Sequence, residues 1–325
     1  MNIVVTGGAG FLGQALIRRL VEDGSIALDG QRIAFERIVC FDTTHGALAD
    51  PRVANVAGTI TDIAQVESLI DASVRVVFHL ASVVSGGAEQ DFDLGMRVNL
   101  DGTRHLLEAC RHHGARPRLL FSSSIAVFGG DLPAVVTDGT PTMPQSSYGT
   151  QKRACELLLQ DYARKGFLDG RSVRVPTVVV RPGAPNAAAS GFASGIIREP
   201  LAGVETVLPV SPDTRMWIAS PRAVIEMFLQ AVDLPEAAWG WNRSLNLPGL
   251  TATMAEELDA LRRVAGEAVA ARVRHEPDQS IMRLVRTWAG NFDTARALAM
   301  GFTADRDFEA IVRAYIEDHP EAVRI

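Results

Sequence analysis

The stretch that most restricts the fold is Ile3-Val4-Val5-Thr6-Gly7-Gly8-Ala9-Gly10-Phe11-Leu12-Gly13, followed by a helical pattern from Gln14 to Val21. A β-branched run, a glycine cluster and a helix, in that order, make a strand, a tight turn and a helix N-terminus. That arrangement holds a dinucleotide pyrophosphate. Gly7 lets the chain leave the strand, and Gly10 lets backbone N–H groups reach a phosphate with no Cβ between them. Gly13 lets the helix pack close to the sheet. The spacing is G-x-x-G-x-x-G, with Phe11 and Leu12 inside the turn, one residue longer than the reference fingerprint.

A second buried strand, Ile38-Val39-Cys40-Phe41, ends in Asp42 after a surface excursion from Gly24 to Glu36. A carboxylate there can accept both adenosine ribose hydroxyls, and its charge repels a 2′-phosphate, so NAD is expected over NADP. Thr43 and Thr44 follow, with no arginine to receive such a phosphate. Asp42 stands 29 residues after Gly13, against about 20 in the usual pattern, so the excursion must be looped out. Asp62 and Ile63 are placed at the adenine edge after a third strand. Val74 to Leu80 reads as a fourth strand, and Leu80-Ala81-Ser82 opens a small-residue loop, running to Ser85, that can pass the middle of the cofactor. His79, inside that apolar strand, reads as a core histidine. His112-His113 lacks metal-ligand spacing, and no metal is expected.

Met96 to His113 reads as one long helix, with Asn99 placed early to bridge backbone groups of neighbouring strands. Arg118 to Phe121 is a fifth strand that runs into Ser122-Ser123-Ser124. Tyr148-Gly149-Thr150-Gln151-Lys152 then opens another helix, and four-residue spacing puts Tyr148 and Lys152 on one face. Val173 to Arg181 reads as a sixth strand ending at Pro182-Gly183, where such sheets bind ligands. Beyond residue 184 the pattern loosens into a smaller lobe. Ser190, Phe192, Ser194 and Arg198 are candidates for its pocket; Arg198 can pair with a substrate carboxylate or with Glu199.

These residues together resemble the extended short-chain dehydrogenase/reductase family, which includes the NAD-dependent epimerases and dehydratases. The glycine pattern, Asp42, His79-Leu80-Ala81, Ser124 and Tyr148-x-x-x-Lys152 fall in the family's order. The closer likeness is to its D-erythronate dehydrogenase branch. It is carried by Val83 to Asp91, Ser122 to Gly130, Pro144 to Lys152, and Arg181 to Asn186 running on to Leu201.

The resemblance implies an α/β fold: a Rossmann-type doubly wound parallel sheet at 1–183 that binds NAD and carries Ser124, Tyr148 and Lys152. A smaller substrate-binding α/β lobe at 184–325 would return segments to the first domain. It implies oxidation of a small sugar acid, D-erythronate at C2 to the 2-oxo acid, with Tyr148 as general base. A phenol at its ordinary pKa of about 10 is a poor base at neutral pH. Lys152 would favour the phenolate and bind the nicotinamide ribose, Ser124 would hold the substrate oxygen, and Ser85 would line the pocket.

The competing readings are a nucleotide-sugar 4-epimerase, or a related uronate dehydrogenase of the same family, and a cofactor-sensing regulatory protein. Against the first, Arg181-Pro182-Gly183-Ala184-Pro185-Asn186 stands where nucleotide-sugar enzymes tend to carry Asn-x-Tyr-Gly-Pro. Arg215-Met216-Trp217-Ile218 replaces their Arg-Asp-aromatic segment, and Phe128 replaces a common tyrosine. Against the second, a sensor has no need of a proton relay.

A net charge of −6 gives no basic face for nucleic acid. Cys40, Cys110 and Cys155 suggest neither a disulfide framework nor a zinc cluster. With no basic leader before the first strand and no apolar run of about 18 residues, a cytoplasmic protein is expected. Apolar positions on several faces of the helices 96–113 and 149–165 suggest a homodimer packed as a four-helix bundle.

Overall fold

The structure is a computed structural model and describes residues 1–112, 116–183 and 188–324. In chain order it opens with β1 (Asn2–Thr6), α1 (Phe11–Asp23), the hairpin β2 (Ser25–Leu28) and β3 (Gln31–Ala34), β4 (Arg37–Asp42) and β5 (Val53–Ala57). Then come α2 (Ile63–Ser68), β6 (Val74–His79), α3 (Ser85–Gln90), α4 (Phe92–Gly95), a π-turn (Met96–Asp101) and α5 (Gly102–His112). Next are β7 (Arg118–Ser124), α6 (Ser147–Arg164), β8 (Asp169–Val175), β9 (Thr177–Val178), α7 (Gly191–Leu201), β10 (Thr206–Leu208), β11 (Arg215–Ala219), α8 (Pro221–Asp233) and α9 (Glu236–Trp239). The chain closes with β12 (Ser244–Asn246), β13 (Leu250–Thr253), α10 (Met254–Ala265), α11 (Glu267–Ala270), β14 (Val273–His275), α12 (Gln279–Val285), α13 (Ala295–Ala299) and α14 (Phe308–Asp318).

Two compact units divide these elements. The first comprises Met1–Val127, Ser146–Arg174 and Ile225–Asn246; the second comprises Phe128–Gln145, Val175–Val224 and Leu247–Ile325. The first is built on a seven-stranded sheet of order β12-β8-β7-β6-β1-β4-β5. Its paired strands run parallel, with Val4 of β1 opposite Val39 of β4 on one side and Val77 of β6 on the other. A strand between two parallel neighbours is covered on both faces, which is why Ile3, Val4 and Val5 form an unbroken apolar run with no exposed surface. Strand order reverses between β1 and β6, and the crevice at such a reversal is where doubly wound sheets take ligands. The second unit carries a sheet of order β13-β11-β9, the pair β10-β14, and a core in which α7, α10 and α14 supply Ile196, Ile197, Leu261, Ile311 and Val312. Among the described residues no helix is long and apolar enough to cross a membrane.

Two local expectations are corrected, and a third takes a definite form. The excursion after α1 is the hairpin β2–β3, paired in register from Ser25–Ala34 to Leu28–Gln31. The helix expected over 96–113 opens as the π-turn before it continues as α5, and its end at His113-Gly114 lies outside the described residues. The strand expected over 173–181 starts at Asp169 and stops at Val175. Pro176 has no N–H to give the ladder, so the chain leaves the large sheet there, and Thr177–Val178 pairs with β11 instead. The first unit gives way to the second at Arg174–Val175. Ala184, Pro185 and Asn186 lie outside the described residues.

Candidate active site

The glycine turn is shaped by contacts that leave no space for side chains. Gly7 has φ +73°, and a Cβ there would stand 2.6 Å from Ala81 N, at the exit of β6. A Cβ on Gly13 would lie 2.3 Å from Gly7 O and 2.7 Å from Gly8 Cα, so Gly13 brings the first turn of α1 against the glycine turn rather than against the sheet. Gly10 differs: its nearest neighbour to a Cβ is Gly7 O at 3.2 Å. It caps α1 from an extended conformation with no side-chain bond, so the helix N-terminus keeps its N–H groups for an anion.

Asp42 ends β4 beside this turn. Its Oδ2 accepts from Ala9 N at 3.0 Å, and its Oδ1 accepts from Thr43 N at 2.7 Å. The carboxylate is thereby aimed, with lone pairs left for ribose hydroxyls. Gln14, which was not singled out from sequence, ties the region together. Its Nε2 donates to Gly8 O at 2.6 Å and its Oε1 accepts from Ala47 N at 3.0 Å, drawing the 43–50 loop onto α1. Asp62 spends Oδ1 on Ala64 N and Gln65 N as the N-cap of α2, and Oδ2 on Gln65 Nε2. Ile63 beside it is 48% exposed.

At the exit of β6, Leu80 N donates to Thr6 O at 3.0 Å and Ser82 Oγ donates to Val83 O at 3.1 Å. Asn99 sits in the π-turn, a local widening often found at functional sites. Its Oδ1 accepts from Val83 N at 2.7 Å, and its Nδ2 donates to Val83 O at 3.0 Å and to Gln151 Oε1 at 2.8 Å. Asn99 thus joins the loop after β6 to α6. His79 lies between Thr6 Oγ1 at 2.7 Å and Thr103 Oγ1 at 2.9 Å. Full burial and then the nearby Lys152 charge push its imidazole down to about 3, so it is a neutral core group.

Ser146 starts α6 by accepting from Gly149 N at 3.1 Å, and the helix then presents Tyr148 and Lys152 on one face. Lys152 is only 3% exposed. Its ammonium donates to Ser122 O at 2.8 Å and lies 5.6 Å from the Tyr148 ring centroid and 4.7 Å from that of Phe121. Burial pushes the amine down to about 8, with the Glu156 carboxylate acting the other way. Ser124 follows two residues along β7, and its Oγ accepts from Ala126 N at 3.1 Å. The first unit therefore brings together the glycine turn, Asp42, Leu80 to Ser82, Asn99, Ser124, Tyr148 and Lys152. Ser85 opens α3 half-buried.

Pro182, Ser190, Ser194 and Arg198 belong to the second unit. Of the two roles open to Arg198, the ion pair is the one formed: Nη2 donates to Glu199 Oε1, and Nη1 to Arg181 O at 2.8 Å. Arg181 N donates to Ser194 Oγ at 3.1 Å, which fixes the strand end to α7.

The NAD dependent epimerase/dehydratase family model matches residues 3–237. The chain is 53% identical over 319 residues to D-erythronate dehydrogenase of Cupriavidus necator, with 98% of each chain covered. It is 42% identical over 319 residues to D-erythronate dehydrogenase of Haemophilus influenzae, covering 98% of this chain and 99% of that one. Among solved structures it is similar to the nucleoside-diphosphate-sugar epimerase from Agrobacterium tumefaciens. That match has 46% identity and a TM-score of 0.92, over 99% of this chain and 95% of the other.

Proposed function

This chain belongs to the NAD-dependent epimerase/dehydratase family, and from that premise we propose that it oxidises D-erythronate at C2 to the 2-oxo acid, with Tyr148 as general base. It is an NAD-dependent oxidoreductase. The buried Lys152 ammonium against the Tyr148 ring carries the mechanistic reading, because a cation desolvated beside a phenol favours loss of the phenolic proton. The choice of acid is supported by the two relatives named for it.

The residues fit the cofactor. Gly10 and the open N-terminus of α1 suit a pyrophosphate, Asp42 suits ribose hydroxyls, and Leu80 to Ser82 offer a small-residue passage. We assign Asp62, Ile63 and Asn99 to the same site. NAD, when bound, supplies the hydride acceptor. Tyr148 takes the proton of the C2 hydroxyl as that carbon becomes a carbonyl, and Lys152 holds the phenolate it starts from. Ser124 donates to the reacting oxygen and fixes its direction, and Ser85 lines the substrate side.

Epimerisation of a nucleotide sugar is the second reading, favoured by the structure from Agrobacterium tumefaciens. The two separate in one experiment. D-Erythronate deuterated at C2 should yield NADH heavier by one mass unit together with an unlabelled 2-oxo acid. Label retained in the product, or no reduced cofactor while a nucleotide sugar is inverted, refutes the first reading.

A further inference from the structure

One turn past Lys152, the buried face of α6 carries Glu156, which is 1% exposed. Its Oε1 accepts from Ser123 Oγ at 2.7 Å and Arg174 Nε at 2.9 Å. Its Oε2 accepts from Arg174 Nη2 and Arg153 Nη1, both at 2.9 Å. The Arg174 pairing is a two-pronged fork, and Arg174 Nη1 reaches Asn246 Oδ1 at 3.2 Å, so β8 and β12 hold the guanidinium while α6 holds the carboxylate. Ser123 lies between Ser122, whose carbonyl accepts from Lys152, and Ser124. Two consecutive residues of β7 are thus bonded to two side chains one turn apart on α6. Sliding the helix along the strand breaks both bonds.

Removing two charges from water offsets most of what such a pair gains, so stability alone is a weak reason for it. The titratable and charged groups around Lys152, among the described residues, are Tyr148, Arg153, Cys155 and Glu156 on α6 and His79 on β6, with Arg174 of β8 and Arg153 both tied to Glu156. His79 is neutral, and burial pushes the Cys155 thiol up to about 11, so it too is neutral at pH 7. Glu156 stays ionised: burial works against its charge, and the bonds from Arg174, Ser123 and Arg153 outweigh that and hold it below the ordinary carboxylate range. Its charge is shared with Arg174 and Arg153, and it is the ionised carboxylate one helical turn from Lys152 that favours the ammonium.

We propose that Glu156, locked by Arg174, is a positioning residue for the reaction. Its charge keeps the Lys152 ammonium protonated beside Tyr148, and its bond to Ser123 holds the Ser124 strand in register with that helix. The inference rests on the reading of Tyr148 as base and Lys152 as its cation.

The sequence makes the test direct, because its only lysines are Lys152 and the exposed Lys165. Carbon-13 NMR of the full chain labelled at the lysine ε-carbon reads both titrations, with and without NAD and with no substrate. Glu156→Gln should lower the Lys152 midpoint by about 1 pH unit, a tenfold loss of proton affinity, and leave Lys165 in place. An unmoved Lys152 midpoint in folded Glu156→Gln overturns the proposal. Ser123→Ala keeps every charge, so it decides the matter if Glu156→Gln does not fold. It should leave the midpoint alone, lower kcat about tenfold at unchanged KM for NAD, and be rescued by Ser123→Thr; wild-type kcat in Ser123→Ala refutes the proposal. Because the titration needs no turnover, a protein inert on sugar acids would sink the functional reading while the coupling of Lys152 to Glu156 was still measured.

Discussion

Replacing Tyr148 by phenylalanine removes one oxygen and keeps the ring beside Lys152, so it isolates the proton transfer from the packing. General-base contributions run to about 100–10,000-fold. Tyr148→Phe should therefore lose at least about 100-fold in kcat and bind NAD as before, by fluorescence titration; near-normal turnover would remove Tyr148 from the mechanism. At Asp42 the argument is electrostatic. Asp42→Ala should lower the NAD to NADP ratio of kcat/KM by about tenfold, the equivalent of about 1.4 kcal/mol. An unchanged ratio would mean that the carboxylate does not face the ribose. Tyr148 was singled out from its four-residue spacing to Lys152, and Asp42 from its place at the end of an apolar strand despite a long gap after Gly13. Glu156 was not singled out, although it stands four residues after Lys152 and eight after Tyr148, a one-face signal in the sequence itself. What spacing could not supply was its partner, because Arg174 comes from a strand 18 residues on.

Among the elements, α10 carries a second buried carboxyl with a different fate. Glu257 has no exposed surface, and neither of its oxygens has a hydrogen-bond partner among the described residues. Burial alone pushes its pKa well above the ordinary 4.5, so it is neutral in the folded chain. A folded pKa raised above the unfolded one gives stability that is whole below about pH 4.5 and drains away as pH rises toward the folded value. Glu257→Gln cannot ionise in either state. Its melting temperature relative to the parent should rise between pH 5 and pH 8, by about 2–4 °C for each kcal/mol recovered. A difference that stays constant with pH would contradict this.

The elements that spacing misread share a cause: a local pattern does not report what the chain pairs with. Val173 to Arg181 is nearly continuous in β-branched residues, and only Pro176 marks where it changes sheets. The π-turn at Met96–Asp101 inserts extra backbone into an otherwise helical apolar pattern, so its periodicity passes for one helix. Asn99 was read as a bridge between backbone groups. Among the described residues it reaches no neighbouring strand: it bonds both backbone groups of Val83, in the loop after β6, and the Gln151 side chain of α6.

For the whole molecule, α6 leaves Leu157 52% exposed. A second copy packing α5 and α6 against their equivalents would cover it. A homodimer is expected by light scattering at micromolar concentration, and a monomer there would count against that assembly. The account as a whole turns on which substrate reduces the cofactor. The decisive measurement is NADH absorbance with purified protein, NAD and a panel of four- to six-carbon aldonic and uronic acids that includes D-erythronate and L-threonate, run beside Tyr148→Phe. Strong turnover of D-erythronate, abolished in the variant, is the predicted result. Silence across the panel from protein that still binds NAD, with inversion of a nucleotide sugar instead, would contradict it.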